Sequence, residues 1–488
     1  MASQTSNVNR ALAPQLVFRD QVLHHVNESP HMRADLIRRT NLLRGVIVTP
    51  DGLRPSTWDI LNFKDELPAA SMNDTIYEVS SVKNSDARMF VESGWSRGAI
   101  NVCNPWISLT CGISLVDNSD IIFGYASAHR VRGIVDFNVH KLRSNVESEF
   151  KESVLTALQG ETREEVQKGL KAVFNRSGHL FPTRIWLGSN SQCSGSVEDI
   201  ADRGSLLSTA LHRKIQEWKD AHAVEVDVKI MPTNIAVRIR YQTNGGQSSL
   251  VGDASSWLQS TERYQGWVVT RVEKAVPIIE LLEPELCQQV IGAFAPLIGK
   301  WVVPALDDTA PGRIPDMTAH SGWYWLCQTK TASEGEPQAK CLIVQDRSGK
   351  SLIPAPTPAA VAENSEITAY ASAVDTDFDV LGAFLWNTPD LPDFSRLCAV
   401  RRDLLIQGSE STLCAISDAA IALVTELPDT AVALGDPVHA IETKHIILLV
   451  SGKGRFSKDK YSLTPKPYLL SKYAIDIPRG QSNKVAST

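Results

Sequence analysis

The sequence predicts an α+β protein, and three observations carry that prediction. Apolar residues recur at every second position around 107–125, the period of a strand with one buried face. They recur at every third or fourth position through 146–174 and again through 207–218, the period of an amphipathic helix. Beyond residue 303 the helical period disappears, and short apolar runs broken by Pro and Gly take its place.

Taken in order, residues 1–10 read as disordered, and 11–60 as short apolar runs around the turn Thr49-Pro-Asp-Gly52. Ile76–Val82 and Ala87–Val91 read as short strands, and Trp95–Asn138 as β-rich. There Ile107, Leu109, Cys111, Ile113 and Leu115 alternate with Ser108, Thr110, Gly112 and Ser114. Asp117-Asn-Ser-Asp120 turns the chain, and Ile121, Phe123 and Tyr125 resume the alternation. Val146, Phe150, Val154 and Leu158 then step by four along one helix face, which Gly160 ends. Thr162-Arg-Glu-Glu165 has the capping-box pattern and opens a second helix, carrying Val166, Leu170 and Val173 and ending at Gly178. Arg184–Leu187 is a strand. Residues 189–226 are polar at first and then helical, with Leu207, Leu211, Ile215 and Trp218 on one face. A long strand is expected over Val228–Tyr241, and helical or mixed structure over Trp257–Leu282.

Pro304, Pro311-Gly312 and Pro315 mark a linker, so 11–302 and 303–488 are expected to fold as separate domains. Within the second, Gly322–Leu326, Gly382–Trp386 and Lys444–Leu449 resemble one another, and a strand near Cys341 has a counterpart near Cys398. These read either as three small β repeats or as unrelated strands of one β domain.

Composition narrows the function. Forty-nine basic against 55 acidic residues give a net charge of −6, which argues against a nucleic-acid binder as a whole. No apolar run approaches the ~18 residues of a transmembrane helix. Membrane β-strands escape that test, because each carries little hydropathy signal. The N-terminal stretch Met1–Arg10 has neither the charged nor the apolar part of a secretory signal, so a soluble chain made in the cytosol is expected. The eight scattered cysteines contain no C-x-x-C pair and read as reduced core thiols.

Enzyme signatures fail on chemistry. Arg347-Ser-Gly-Lys-Ser351 resembles the end of a phosphate-binding loop, but Val344 stands where the leading glycine is required. No nucleophile elbow and no zinc-binding His-Glu-x-x-His helix exists. His24, His25 and His31 lack a further ligand at metal spacing. His179 has no evident nucleophile near it, and reads as a packed corner residue bonded to backbone. Neither a catalytic residue nor a cofactor is expected.

The most informative stretch is Asn175-Arg-Ser-Gly-His-Leu-Phe-Pro-Thr-Arg-Ile-Trp-Leu-Gly188. It is followed by Gly245-Gly246, Ser249-Leu250, Asp253, Trp257, Trp267 and Pro277-Ile-Ile-Glu-Leu-Leu282. With Gly178, His179, Phe181 and Gly188 on a helix-to-strand corner, this order resembles the membrane-attack-complex/perforin family over roughly residues 35–300, and within it the fungal, pleurotolysin B-like branch. Ser189 departs from the family's second glycine.

The resemblance implies a bent antiparallel sheet flanked by helical clusters, with a β-rich domain behind it. It implies a pore-forming protein that is a monomer in solution and a homo-oligomer on membrane lipid, where two insertions unfold into β-hairpins of a shared barrel. A small lipid-binding, aegerolysin-type partner would recruit it, after export without a classical signal. The first insertion is expected within Thr110–Ser127, with Cys111, Ile113, Leu115, Ile121, Phe123 and Tyr125 as inserting residues. It reads as short, since Trp95–His140 leaves too little chain for two long strands and a full helical cluster. The second, Ser189–Asp227, offers Leu207, Leu211 and Ile215; counted by twos, however, Arg213 and Glu217 would share their face. Lys453, Arg455, Lys458, Tyr461 and Tyr468 form a basic-aromatic tail suited to headgroups or an acidic partner. The alternative is a non-lytic interaction protein of the same fold that binds lipid, carbohydrate or another protein.

Overall fold

The computed structural model describes residues 22–63, 65–116, 119–199, 203–221, 240–247 and 260–302. Beyond these it describes 312–313, 317–326, 329–330, 341–356, 359–363, 368–371, 377–380, 384–386, 394–407 and 468–476. The expectations for residues 1–10, Asp253, Trp257, Lys444–Leu449, Lys453, Arg455, Lys458, Tyr461 and most of Val228–Tyr241 lie outside the described residues.

The fold is α+β. It begins with helices α1 (Val22–Glu28) and α2 (Pro30–Thr40), the latter opened by a Ser29 cap and Pro30 at its first turn. The hairpin β1 (Arg44–Thr49) and β2 (Gly52–Asp59) follows, then the long strand β3 (Ala69–Val82). Helices α3 (Ser85–Glu92) and α4 (Arg97–Cys111) separate β3 from β4 (Ile121–Asp136). Helices α5 (Ser148–Ala157) and α6 (Arg163–Ser177) separate β4 from the 19-residue β5 (Leu180–Glu198). Helix α7 (Arg203–Ala221) precedes β6 (Arg240–Asn244), and β7 (Val268–Pro277) and α8 (Pro284–Phe294) close the series.

These strands form one seven-stranded antiparallel sheet in the order β2-β1-β5-β4-β3, with β6 and β7 also paired to β5. β3, β4 and β5 are successive antiparallel neighbours along most of their length. β7 pairs the first half of β5, over Leu180–Gly188, and β6 pairs the second, over Asn190–Ser194.

The helix readings at 146–158 and 162–178 hold. The α6 capping box is formed, with Thr162 accepting from the Glu165 N–H and Glu165 reaching back to the Thr162 N–H. Several strand readings are corrected. Ala87–Val91 is the middle of α3, whose Asn84 cap accepts the Asp86 and Ala87 N–H groups at 2.8 Å, and whose Ala87, Phe90 and Val91 are buried at helical spacing. Ile107–Leu115 is not a strand: α4 runs to Cys111 and buries Cys103, Trp106, Ile107 and Thr110, which recur at helical intervals. Ser189–Glu198, expected as a polar start to the second insertion, is the second half of β5. The described part of Trp257–Leu282 is mixed, as one of the two readings had it: the strand β7 lies between short 3-10 turns at Tyr264–Gly266 and Ile278–Leu281.

By contacts the chain divides into two compact units. Met1–Cys103 and Ile113–Cys287 form the first; Asn104–Gly112 and Gln288–Thr488 form the second. The described residues of the second unit form small sheets, mostly antiparallel. Leu297–Val302 pairs along its full length with Cys341–Asp346, and Cys398–Arg401 is flanked by Leu352–Pro354 and Phe378–Val380. Its core contains Trp325, Ile343, Val380, Phe394, Leu397 and Ala399. The loop-like Arg347–Ser351 wraps a carboxylate of its own chain. Asp346 accepts from the Ser348, Ser351 and Leu352 N–H groups, at 2.8, 2.6 and 3.1 Å. Burial alone would raise the Asp346 carboxyl; the bonds from Ser348, Ser351 and Leu352 outweigh it and hold the group below its usual range.

Candidate functional site

The feature that organises the first unit is a row of irregularities crossing the sheet. Arg132 is an extra residue in β4, inserted where Val131 faces Gly188 and Gly133 faces Leu187. Beside it, the β3 register slips across Met72 and Asn73. A bulge bends its strand and adds twist, so a bulged row bends the sheet along a line. Gly188 sits on that line with φ 152, and a Cβ there would stand 2.0 Å from the Arg130 carbonyl oxygen. Only glycine lets the two backbones come this close.

Arg132 also holds the bend chemically. Its buried guanidinium donates to Asn73 Oδ1 on β3 and pairs with Glu262, which lies between β6 and β7. Arg130 approaches the same carboxylate at 3.6 Å. The connection carrying Glu262 is pinned further. Gly246 N–H donates to the Gly266 carbonyl at 2.8 Å, and the buried Trp267 donates to the Thr261 carbonyl at 3.0 Å. Arg39 of α2 donates to the Tyr264 and Gln265 carbonyls at 2.8 and 2.6 Å.

The chain between successive sheet strands is helical on both sides of the β4–β5 pair. Residues 83–120, between β3 and β4, hold α3 and α4; residues 199–239, between β5 and β6, hold α7. Helices α3 and α7 pack on opposite faces. Leu207, Leu211, Ile215 and Trp218 of α7 bury themselves on Ile122, Ala126, Ala128, Cys193 and Val197. Phe123 and Gln192, one position along from Ile122 and Cys193, point the other way. There the Arg88 guanidinium of α3 lies 5.0 Å from the Phe123 ring centre, and Gln192 donates to the Val91 carbonyl at 3.4 Å. The stretch between β3 and β4 thus runs over 83–120 and is longer than the segment expected within Thr110–Ser127. Ile121, Phe123 and Tyr125 belong to the sheet strand itself.

The helix-to-strand corner is closed by backbone bonds. Gly178 caps α6 with φ 105, and its N–H reaches the Phe174 carbonyl. His179 Nδ1 accepts the Val48 N–H at 3.2 Å, its own N–H donates to the Val46 carbonyl, and its carbonyl accepts from Ile278. Burial pushes the His179 pKa down to about 4, which keeps Nδ1 an acceptor at neutral pH. Phe181 beside it is fully buried.

A sequence profile of the fungal MACPF-like domain, named for the membrane-attack complex and perforin, matches residues 42–290. The chain belongs to this family. The matched span holds the whole seven-stranded sheet, helices α3, α4 and α7 and the corner. No curated protein sequence matches the chain. Among solved structures it is similar to GNIP1Aa from Chromobacterium piscinae, at 14% identity and TM-score 0.32, over 89% of this chain and 94% of that one. A putative cell invasion protein with a MAC/perforin domain from Bacteroides thetaiotaomicron is 13% identical, with TM-score 0.34, over 51% of this chain and 58% of that one. Astrotactin-2, a vertebrate-specific, perforin-like membrane protein, is 10% identical, with TM-score 0.25, over 52% and 95%.

Of the other positions that the sequence singled out, Gly245 and Gly246 lie beside Gly188 at the bend. Gly245 and Gly246 follow β6 with φ 82 and 65, and a Cβ on Gly245 would stand 2.9 Å from the Gly188 carbonyl. Ser189, read in the sequence as a departure from the family pair, is fully buried. Tyr468 begins a short strand of the second unit. Among the described residues no helix is long and apolar enough to cross a membrane, and no cluster of three His, Cys, Asp or Glu could hold a metal. His24 pairs with Glu28 at 3.2 Å on α1.

Sequence reading missed Arg132, Glu262 and His129. His129 is buried edge-on to Trp186, 5.7 Å between ring centres, with Nε2 3.7 Å from Glu78. Burial lowers its pKa to about 4, against a bond from the ring to the Thr270 backbone that raises it. A lone polar residue in an alternating strand gives no sign of such burial.

Proposed function

We propose that this MACPF protein perforates membranes: copies assemble on lipid, and the segments that hold α3, α4 and α7 unfold and become β-hairpins of a shared barrel. A closed barrel is the one strand arrangement that satisfies every backbone group in lipid. The observation that carries the reading is a segment written in two periods. Residues 103–115 are helical as far as Cys111 and bury Cys103, Trp106, Ile107 and Thr110 at helical spacing. Within that stretch residues 107–115 alternate strictly as a strand would, with Ile107, Leu109, Cys111, Ile113 and Leu115 apolar and Ser108, Thr110, Gly112 and Ser114 small or polar. A strand spanning a bilayer needs about 9–11 residues, and this segment supplies them with one lipid-compatible face.

Pro105 supports the same reading. It lies inside α4, where it removes one helical hydrogen bond and clashes with the preceding turn. A helix weakened in this way converts at lower cost.

A small lipid-binding, aegerolysin-type partner, docking on the second unit, completes the proposal for recruitment. The test is dye release from lipid vesicles by the protein alone and with such partners, with electron microscopy of the same vesicles. Release together with rings supports perforation; absence of both, across several lipids and partners, overturns it.

One observation favours a second reading, a non-lytic binder of the same fold. Read by twos, α7 places Arg213 and Glu217 on the face of Leu207, Leu211 and Ile215. Charges on a lipid face cost up to ~2–4 kcal/mol each near the midplane for Arg, and less for Glu. Rings without release would match a first hairpin that forms and a second that does not.

A further inference from the structure

We propose that the second unit is a latch on the first insertion: residues 104–112 must leave its core before that insertion can become a hairpin. The proposal rests on the perforation reading above. By chain position Asn104–Gly112 lies between β3 and β4, within the insertion; by packing it is part of the second unit.

Its seat there is specific. Trp106 is fully buried, with the Phe294 ring edge-on at 5.6 Å and the Tyr473 ring tilted at 5.7 Å. Tyr473 is itself fully buried and sits two residues before Ile475–Asp476, which pairs in parallel with Leu297–Val302. One turn of α4 is thus stapled by aromatic residues more than a hundred positions apart in sequence. Ser108 Oγ donates to Asp403 Oδ2, and the other Asp403 oxygen takes Arg401 Nε at 2.6 Å.

This seat opposes deployment by geometry. A helix rises about 1.5 Å per residue and a strand about 3.3 Å. Residues 104–112 cannot double their length while Trp106 stays between two rings and Ser108 stays on Asp403. Pro105 stands where the helix passes from the first unit into the second, and the missing hydrogen bond there lets the two halves of α4 part. Whatever loosens the second unit frees the insertion, so the trigger acts through that unit and not on the sheet.

The test uses full-length protein and two readouts: amide hydrogen exchange in 104–112 in solution, and dye release from vesicles that the wild type permeabilises. Ser108→Ala leaves the Arg401–Asp403 pair intact and removes only the bond to the latch; Asp403→Asn weakens both. Exchange in 104–112 is expected to rise about tenfold in Ser108→Ala, the effect of one lost hydrogen bond of about 1.4 kcal/mol. Exchange in β4 and β5 should be unchanged, and dye release faster by a similar factor. Faster exchange without faster release overturns the latch, as does unchanged exchange. A wild type that releases no dye overturns the perforation reading instead. The restraint is then judged by exchange alone, raised exchange supporting it and unchanged exchange overturning it.

Discussion

Gly124 of the central sheet lies directly beneath Leu211 of α7: a Cβ at 124 would stand 2.7 Å from Leu211 Cδ1 and 2.9 Å from Leu207 Cδ2. The absent side chain is what lets α7 sit so close. Leucine tips are flexible, so Gly124→Ala should cost less than about 1 kcal/mol, whereas Gly124→Val should lift the helix and cost ~1–3 kcal/mol. Leu211→Ala removes the same contact from the other side and should cost ~2–5 kcal/mol through the cavity it leaves. Urea titration gives these values. Hydrogen exchange in 203–221 should rise first in Gly124→Val, and equal protection in that variant would show that α7 does not depend on this contact.

Gly188 is less forgiving, because what it meets is backbone. With φ 152 and the Arg130 carbonyl 2.0 Å from any Cβ, Gly188→Ala must break the β4–β5 register at the bulge. The expected loss exceeds about 3 kcal/mol, with low soluble yield. Gly52, in the β1–β2 turn, is the control. Its φ of 143 is also unfavourable for a side chain, but nothing lies within 4 Å of its Cβ position. Gly52→Ala should cost only ~1–2 kcal/mol. Equal losses in the two variants would mean that the close approach at the bend is unimportant.

Two buried imidazoles tie stability to pH. His129 and His179 both have pKa values pushed down to about 4 by burial, against about 6.5 when unfolded. Between those values the unfolded chain binds more protons than the folded one. The stability they permit is therefore complete above about pH 6.5 and is lost as pH falls toward 4, at about 1.4 kcal/mol per pH unit for each histidine. Urea midpoints measured from pH 7 to 4 should fall accordingly. His179→Gln should remove about half of the histidine slope while lowering stability at pH 7, since the Val48 N–H loses its acceptor. A slope unchanged by that substitution would mean that His179 titrates alike in both states.

What the sequence revealed depended on whether the signal was local. The capping box at Thr162 and Glu165 and the buried stripe of α7 are local patterns, and both appear as read. The second half of β5 was hidden because Ser189, Asn190, Ser191 and Gln192 are polar yet at most 5% exposed, as befits a strand covered on both faces. Arg132 and Glu262 meet across 130 residues, a pairing that neither segment announces. Residues 107–115 misled for a different reason: their strand period is genuine, but the helix satisfies a second period in the same letters.

That double period gives the prediction on which the functional reading turns. Single cysteines placed at 107, 109, 113 and 115 in a background free of other reactive thiols, and labelled with an environment-sensitive dye, should shift to an apolar signal when the protein perforates vesicles. The same labels at 108, 110 and 114 should stay in a polar environment, because alternate residues of a barrel strand face lipid and lumen. In solution the order differs: Ile107 and Thr110 are buried together on the helix, so accessibility there follows three- and four-residue steps. The change from helical to alternating accessibility is the quantity to measure. Helical periodicity retained on the membrane would show that α4 docks without converting, and would favour the non-lytic binder.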